Sequence, residues 1–189
     1  MIKELYLYFA QYPKKSGVLT MATMGESGME DYAAVLQSLN TLPAVGRVND
    51  IDHYVYGQTF DEVRQRVDRL QGIFLFADYG EFSMRGDGRR SFQVEERIAV
   101  TVAEKLSDRA DQLERILASN KTLRLLCNIH AWIIADSEAG TFPWMNRDNI
   151  DRAEIVPFVS PELHSFGWTL MFNAQAADML GVHALSKQL

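Results

Sequence analysis

The chain holds one cysteine in 189 residues, Cys127. No disulfide can form within it, and a lone thiol in the apolar run Leu125-Leu126-Cys127 reads as a small core residue. No stretch approaches the roughly 20 apolar residues that span a bilayer. The opening Met1-Ile-Lys-Glu-Leu-Tyr carries charge too early, and too short an apolar run, for a secretory leader. Basic excess is missing as well: 19 Lys and Arg stand against 25 Asp and Glu, a net charge of -6. That balance argues against nucleic acid, because neutralising phosphates takes clustered Lys and Arg. The only basic concentration, Arg85, Arg89 and Arg90, reads as a solvated turn that discourages edge pairing. Also absent are a Gly-rich phosphate loop, a Gly-x-Ser-x-Gly elbow and a His-Glu-x-x-His pair. These gaps lead us to expect a soluble protein of a reducing cytoplasm, with no cofactor and neither membrane nor nucleic acid as partner. An enzyme is the less favoured reading.

What is present is an ordinary globular balance, 47% hydrophobic and 23% charged, enough for one domain with its own core. The clearest signal lies between Gly72 and Ala103. Phe92, Val94, Ile98, Val100 and Val102 alternate with Gln93, Glu95, Arg97 and Thr101, the period of a half-buried strand. Ile73-Phe-Leu-Phe-Ala77 is apolar throughout, and Gly86-Asp87-Gly88 offers the positive φ of a tight turn. A central hairpin of about 73–84 and 91–103 follows.

Around it, Ile2 to Tyr12 has helical spacing, and Pro13 to Gly28 reads as loop. Ser27-Gly-Met-Glu30 and Thr59-Phe-Asp-Glu62 look like capping boxes for helices whose faces are Tyr32, Val35, Leu36, Leu39 and Leu42, then Phe60, Val63, Val67 and Leu70. Residues 43–48 and 52–56 are candidate short strands. Ser107 is a candidate cap for a helix carrying Leu113, Ile116 and Leu117, ended or interrupted at Asn120, with a further turn or two from Leu123 to Cys127. Ile129 to Ala135 reads as a strand, Asp136 to Asp151 as a long loop, and Glu154 to Phe158 as an edge strand containing Pro157. The last strand, Ser165 to Phe172, aligns Phe166, Trp168, Leu170 and Phe172 on one face. The expected fold is α+β: a mostly antiparallel sheet built on the hairpin, with helices packed on one face. The single domain 1–189 divides into helix and loop (1–28), core (29–173) and a weakly helical tail (174–189).

Candidate chemistry is sparse. Cys127 and His130 have metal-like spacing, but structural zinc needs four ligands and no second pair stands at ligand spacing. Asp50, Asp52 and His53 offer a carboxylate beside an imidazole, with no nucleophile next to them and with ordinary turn chemistry as the plainer account. Glu81, Glu95 and Glu96 can approach across the hairpin as paired acids. Glu96 stands out by occupying the apolar face; a strand end leaving the core, or a salt bridge to the neighbours of Arg97 or to Arg85, would explain it without chemistry. No catalytic, metal or cofactor-binding residue is assigned. Phe142, Trp144, Phe158, Phe166 and Trp168 crowd the C-terminal third, either filling the core or anchoring a protein interface; Phe142, Trp144, Phe158 and Trp168 are the candidate interface residues.

The order helix, hairpin, helix, two strands, carried by Phe92 to Val102, the helix from Ser107, Ile129 to Ala135 and Phe166 to Phe172, resembles the tail-terminator (tail-completion) proteins of long-tailed phages and prophages. The resemblance spans roughly residues 30–173 as a pattern of elements. It implies a small, non-enzymatic α/β protein that forms a homo-oligomeric ring in the host cytoplasm or the virion and meets tail-tube or connector proteins. It implies no catalytic residues. Two alternatives stay open: a small enzyme or ligand-binding domain with a pocket under residues 136–151, and an adaptor using exposed aromatics.

Overall fold

The computed structural model describes residues 2–22, 27–86, 92–141 and 147–176. Helix α1 (Ile2–Phe9) buries Leu5, Tyr8 and Phe9, spaced as one helical face. A second helix, α2 (Lys15–Ala22), stands where a loop was expected. Its Ser, Gly and Thr content hides it from the sequence, and packing accounts for it. A side chain added at Gly17 would lie 1.7 Å from the Asp52 carbonyl oxygen, so glycine lets α2 rest directly on the backbone entering the sheet. Helix α3 (Tyr32–Asn40) starts without the expected box. Asp31 sits at its N-cap with φ 65° and no side-chain cap; that carboxylate accepts from Lys3 Nζ at 2.9 Å, while Ser27 Oγ accepts from the Met29 amide. Residues 43–48 are turns, not a strand: the Arg47 and Val48 amides donate to Gln11 and Tyr12, each at 2.9 Å.

Strand β1 (His53–Gly57), helix α4 (Phe60–Asp68) and strand β2 (Ile73–Asp78) form a crossover unit, with β1 and β2 parallel. Lys105 Nζ donates to the Val67 and Asp68 carbonyls at 3.1 and 2.7 Å, satisfying the end of α4. The hairpin is present. Strand β3 (Phe82–Gly86) and the long strand β4 (Phe92–Lys105) pair antiparallel, and β2 pairs with the later half of β4. Thus β2 and β3 lie end to end along one edge of β4. Between them Tyr79, Gly80 and Glu81 face only Arg97 and Ile98, a one-residue bulge, and Gly80 holds φ +38° there, its amide bonded to Asp78 Oδ1. The tip at Gly88, with Arg89 and Arg90, lies outside the described residues.

The largest departure follows. Residues 129–135 are not a strand but part of α5 (Gln112–Glu138), 27 residues long. Ala118, Thr122, Leu125, Leu126, Ile129, Ile133 and Asp136 are its buried positions, and their steps of three and four make one helical stripe. The run Ile129–Ala135, with three isoleucines and Trp132, favours a strand locally, but the stripe buries it as helix against the sheet. Asn120 does not interrupt α5, and its cap is Asp111 rather than Ser107. The long loop contracts accordingly: Asp136 to Glu138 close α5, and α6 (Arg147–Ile150) adds a short helical turn.

Strand β5 (Glu154–Ser160) forms an edge, as Pro157 requires, and β6 (Ser165–Ala176) runs past the expected core boundary. The strand order is β1-β2-β4-β6-β5, with β3 also paired to β4. The fold is therefore α+β on a mostly antiparallel sheet. Ile98, Val100, Val102, Leu170 and Phe172 join α1, α3 and α5 in the main core. Helix α4 instead covers the opposite face, where Val63, Val67 and Leu70 meet Val55, Phe74 and Phe76. Among the described residues no helix is long and apolar enough to cross a membrane.

Candidate interaction surface

The start of α5 is built by local chemistry. Asp111 Oδ1 accepts from the Glu114 amide at 2.8 Å and Glu114 Oε2 accepts from the Asp111 amide at 2.9 Å, a reciprocal capping box. Residues 111–117 are all exposed, and Ala118 is the first buried position. Leu113, Ile116 and Leu117 are 63%, 55% and 59% exposed. The sequence places these three on the helix, and the structure turns them out to solvent. At about 100° per residue they point roughly opposite to the stripe that continues through Thr122, Leu125 and Ile129.

This apolar ridge runs between two grooves. One, of about 470 Å³, is walled by Ile116, Leu123, Phe166 and Trp168. The Trp168 indole N–H donates to the Ser119 carbonyl and hydroxyl at 3.0 and 3.1 Å, fixing the helix to β6. The Arg115 guanidinium lies 5.1 Å from the Phe166 ring centroid. Val159, paired opposite Phe166, extends the same face and is exposed. The second groove, about 330 Å³, passes Leu106, Ala110, Leu117 and Lys121. Contiguous exposed apolar groups of this kind mark interaction sites.

Of the expected interface residues, Trp168 belongs to this surface. Phe158 does not: it points to the other face of the sheet and packs half-buried on the α4 core. Phe142 and Trp144 lie outside the described residues.

The other candidates resolve separately. Asp52 Oδ1 takes Lys14 Nζ at 2.7 Å and its Oδ2 takes the Ile73 amide at 3.1 Å. Burial pushes the Asp52 carboxyl up, but Lys14 and that amide prevail and hold it below its usual range. His53 Nε2 instead contacts the Gln71 carbonyl at 3.1 Å. Asp52 ties α2, β1 and β2 together and does not orient the imidazole; Asp50 is exposed. Cys127 is exposed, one turn from His130 on α5, and among the described residues no group of three metal-type side chains forms.

The three glutamates divide. Glu81 and Glu95 line a polar groove of about 550 Å³ on the open half of the sheet, with Arg97, Arg152, Glu154 and Asn173. Glu96 turns the other way into the core. It is 0% exposed, and neither oxygen has a hydrogen-bond partner among the described residues. Burial raises its carboxyl to about 7. It does not leave the core, and burial outweighs the weaker opposing pull of the N-terminal charge.

Asp136, expected in a loop, is the hub of a buried network. Tyr12 donates to the Tyr8 hydroxyl at 2.7 Å, Tyr8 donates to Asp136 Oδ2 at 2.9 Å, and Arg47 donates to the same oxygen. The guanidinium also sits 4.8 Å from the Trp132 ring centroid. Burial, first of all, drives the Tyr8 hydroxyl far above its ordinary range. This network joins α1, the 46–48 turn and the end of α5. Sequence reasoning missed it because its members are separated by up to 128 positions.

Compared with known proteins, the chain matches no family model, no curated protein and no solved structure.

Proposed function

We propose that this chain is a non-enzymatic, self-assembling structural protein of the tail-terminator type, working in a host cytoplasm or a virion with tail-tube or connector proteins as neighbours. The observation that carries the self-assembly is the ridge of Leu113, Ile116 and Leu117, an apolar surface presented to solvent by a helix that has a buried face elsewhere. Of the elements behind the resemblance, the strand through Phe92 to Val102, a helix after it and the strand through Phe166 to Phe172 are present, while residues 129–135 belong to the helix. Asp52 and Asp136 are engaged in ties within the fold, and Glu96 is set apart from them in the core. Light scattering over a concentration series, followed by particle imaging, is the test. Discrete oligomers or rings that grow in with concentration are expected. Monomers at millimolar concentration would defeat this reading.

A second reading has one observation in its favour. The polar groove has Asn149 and Arg152 on its rim, so a concavity does lie beside the end of the 136–151 segment. It would take a small polar ligand, and Arg152→Ala would weaken that ligand without altering oligomeric state.

A further inference from the structure

We propose that the outward ridge of α5 is the contact between two copies of this chain, packed antiparallel about a two-fold axis passing close to Leu117. The inference rests on the self-assembly reading and specifies its partner, surface and symmetry.

The patch carries both shapes that helix packing needs. Leu113, Ile116 and Leu117 form a ridge, and a groove flanks it on either side, one walled by Ile116, Leu123, Phe166 and Trp168. In a two-fold contact the same patch meets itself, so the ridge of each copy enters a groove of the other.

Charge selects the partner and the direction. The chain carries a net charge of -6, so contact between arbitrary faces of two copies is repulsive. On α5 the signs are arranged differently. Glu114 and Lys121 lie two turns apart on one flank of the ridge, with the acid towards the helix start. A two-fold axis perpendicular to both helices brings each flank against the same flank of the other copy. With Leu117 and Ala118 at the axis, Glu114 of each copy comes beside Lys121 of the other. A parallel pair would instead set each flank against the opposite flank of the other copy, leaving Glu114 and Lys121 without each other as partners. Lys121 is already oriented on that flank by Glu104, 3.1 Å away, and remains 46% exposed. The three ridge side chains present on the order of 300 Å² of apolar surface, the weak end of specific interfaces, so the pair forms at high protein concentration. A two-fold contact closes at two copies. Any ring is then assembled from pairs through other surfaces.

The test uses the full chain with Cys127→Ser and a single new thiol. Leu117→Cys should give a disulfide-linked dimer on mild oxidation, whereas Ser38→Cys, exposed on α3, should not. By sedimentation, Glu114→Lys alone and Lys121→Glu alone should each weaken association about tenfold, and the two together should restore it. Rescue excludes an effect of the lost capping box, because the double variant lacks that box as well. If the parent assembles but Leu117→Cys does not cross-link, or the double variant shows no rescue, this contact is wrong and self-assembly stands. If the parent stays monomeric at millimolar concentration, both fall.

Discussion

The two ends of α5 are made of similar residues and do opposite things. At its C-terminal end Ile129, Ile133 and Asp136 turn inward, and Asp136 ties the helix to Tyr8 and Arg47. At its N-terminal end Leu113, Ile116 and Leu117 turn outward over an otherwise solvated surface. A hydrophobic side chain on a helix thus says little until the face it occupies is known. One end is where stability within the chain resides. The other contributes almost nothing to the monomer and is free to serve association.

The same substitution at the two ends breaks this comparison most directly. Ile133→Ala empties a fully buried site and should cost about 3–4 kcal/mol in urea denaturation. Ile116→Ala should stay within about 0.5 kcal/mol, partly because alanine favours helix. Equal losses at both positions would show that the ridge is not exposed. Next in size, Asp136→Ala leaves the Tyr8 hydroxyl and the Arg47 guanidinium without their shared acceptor. A loss of about 2–3 kcal/mol is expected, read from the same denaturation curves.

Glu96 sharpens the contrast between a buried acid with partners and one whose oxygens have no hydrogen-bond partner among the described residues. Its folded carboxyl titrates near 7, above its unfolded value of about 4.5. The folded state therefore holds the proton more tightly. That stabilisation is fully present below about pH 4.5 and is lost as pH rises through about 7. Glu96→Gln should remove this slope and make the protein about 2 kcal/mol more stable than the parent at pH 8. Thermal melts of both proteins from pH 5 to 8 check it; parallel pH profiles would contradict the burial. The smallest expected effect on folding is at the ridge itself. Leu113→Ser with Leu117→Ser should shift the melting curve little, while lowering the scattering mass at high concentration towards that of a monomer.

Legibility followed the range of the interactions. Alternation from Ile98 to Val102, the βαβ helix with Val63 and Val67, and the edge position of Pro157 depend on near neighbours and on one face, so they were readable. Residues 129–135 were not, because their isoleucines and Trp132 suit a strand locally, and only the longer stripe from Ala118 to Asp136 makes them helix. Helix α2 was hidden behind Gly17, whose role is set by a carbonyl 35 positions away. Of the candidate surface, Trp168 was named. The ridge was not named as a surface, although Leu113, Ile116 and Leu117 fall outside the stripe that begins at Ala118.

By itself the sequence determined the class of fold, the hairpin and most element positions, since periodicity and turn chemistry act within a few residues. It also determined that one acid, Glu96, would stand on an apolar strand face. Tertiary structure alone decided which side of α5 meets the sheet, that Asp136 would be paired and Glu96 fully buried, and which apolar side chains would face water. Those outcomes depend on what packs against each face, and that is set by elements remote in the chain.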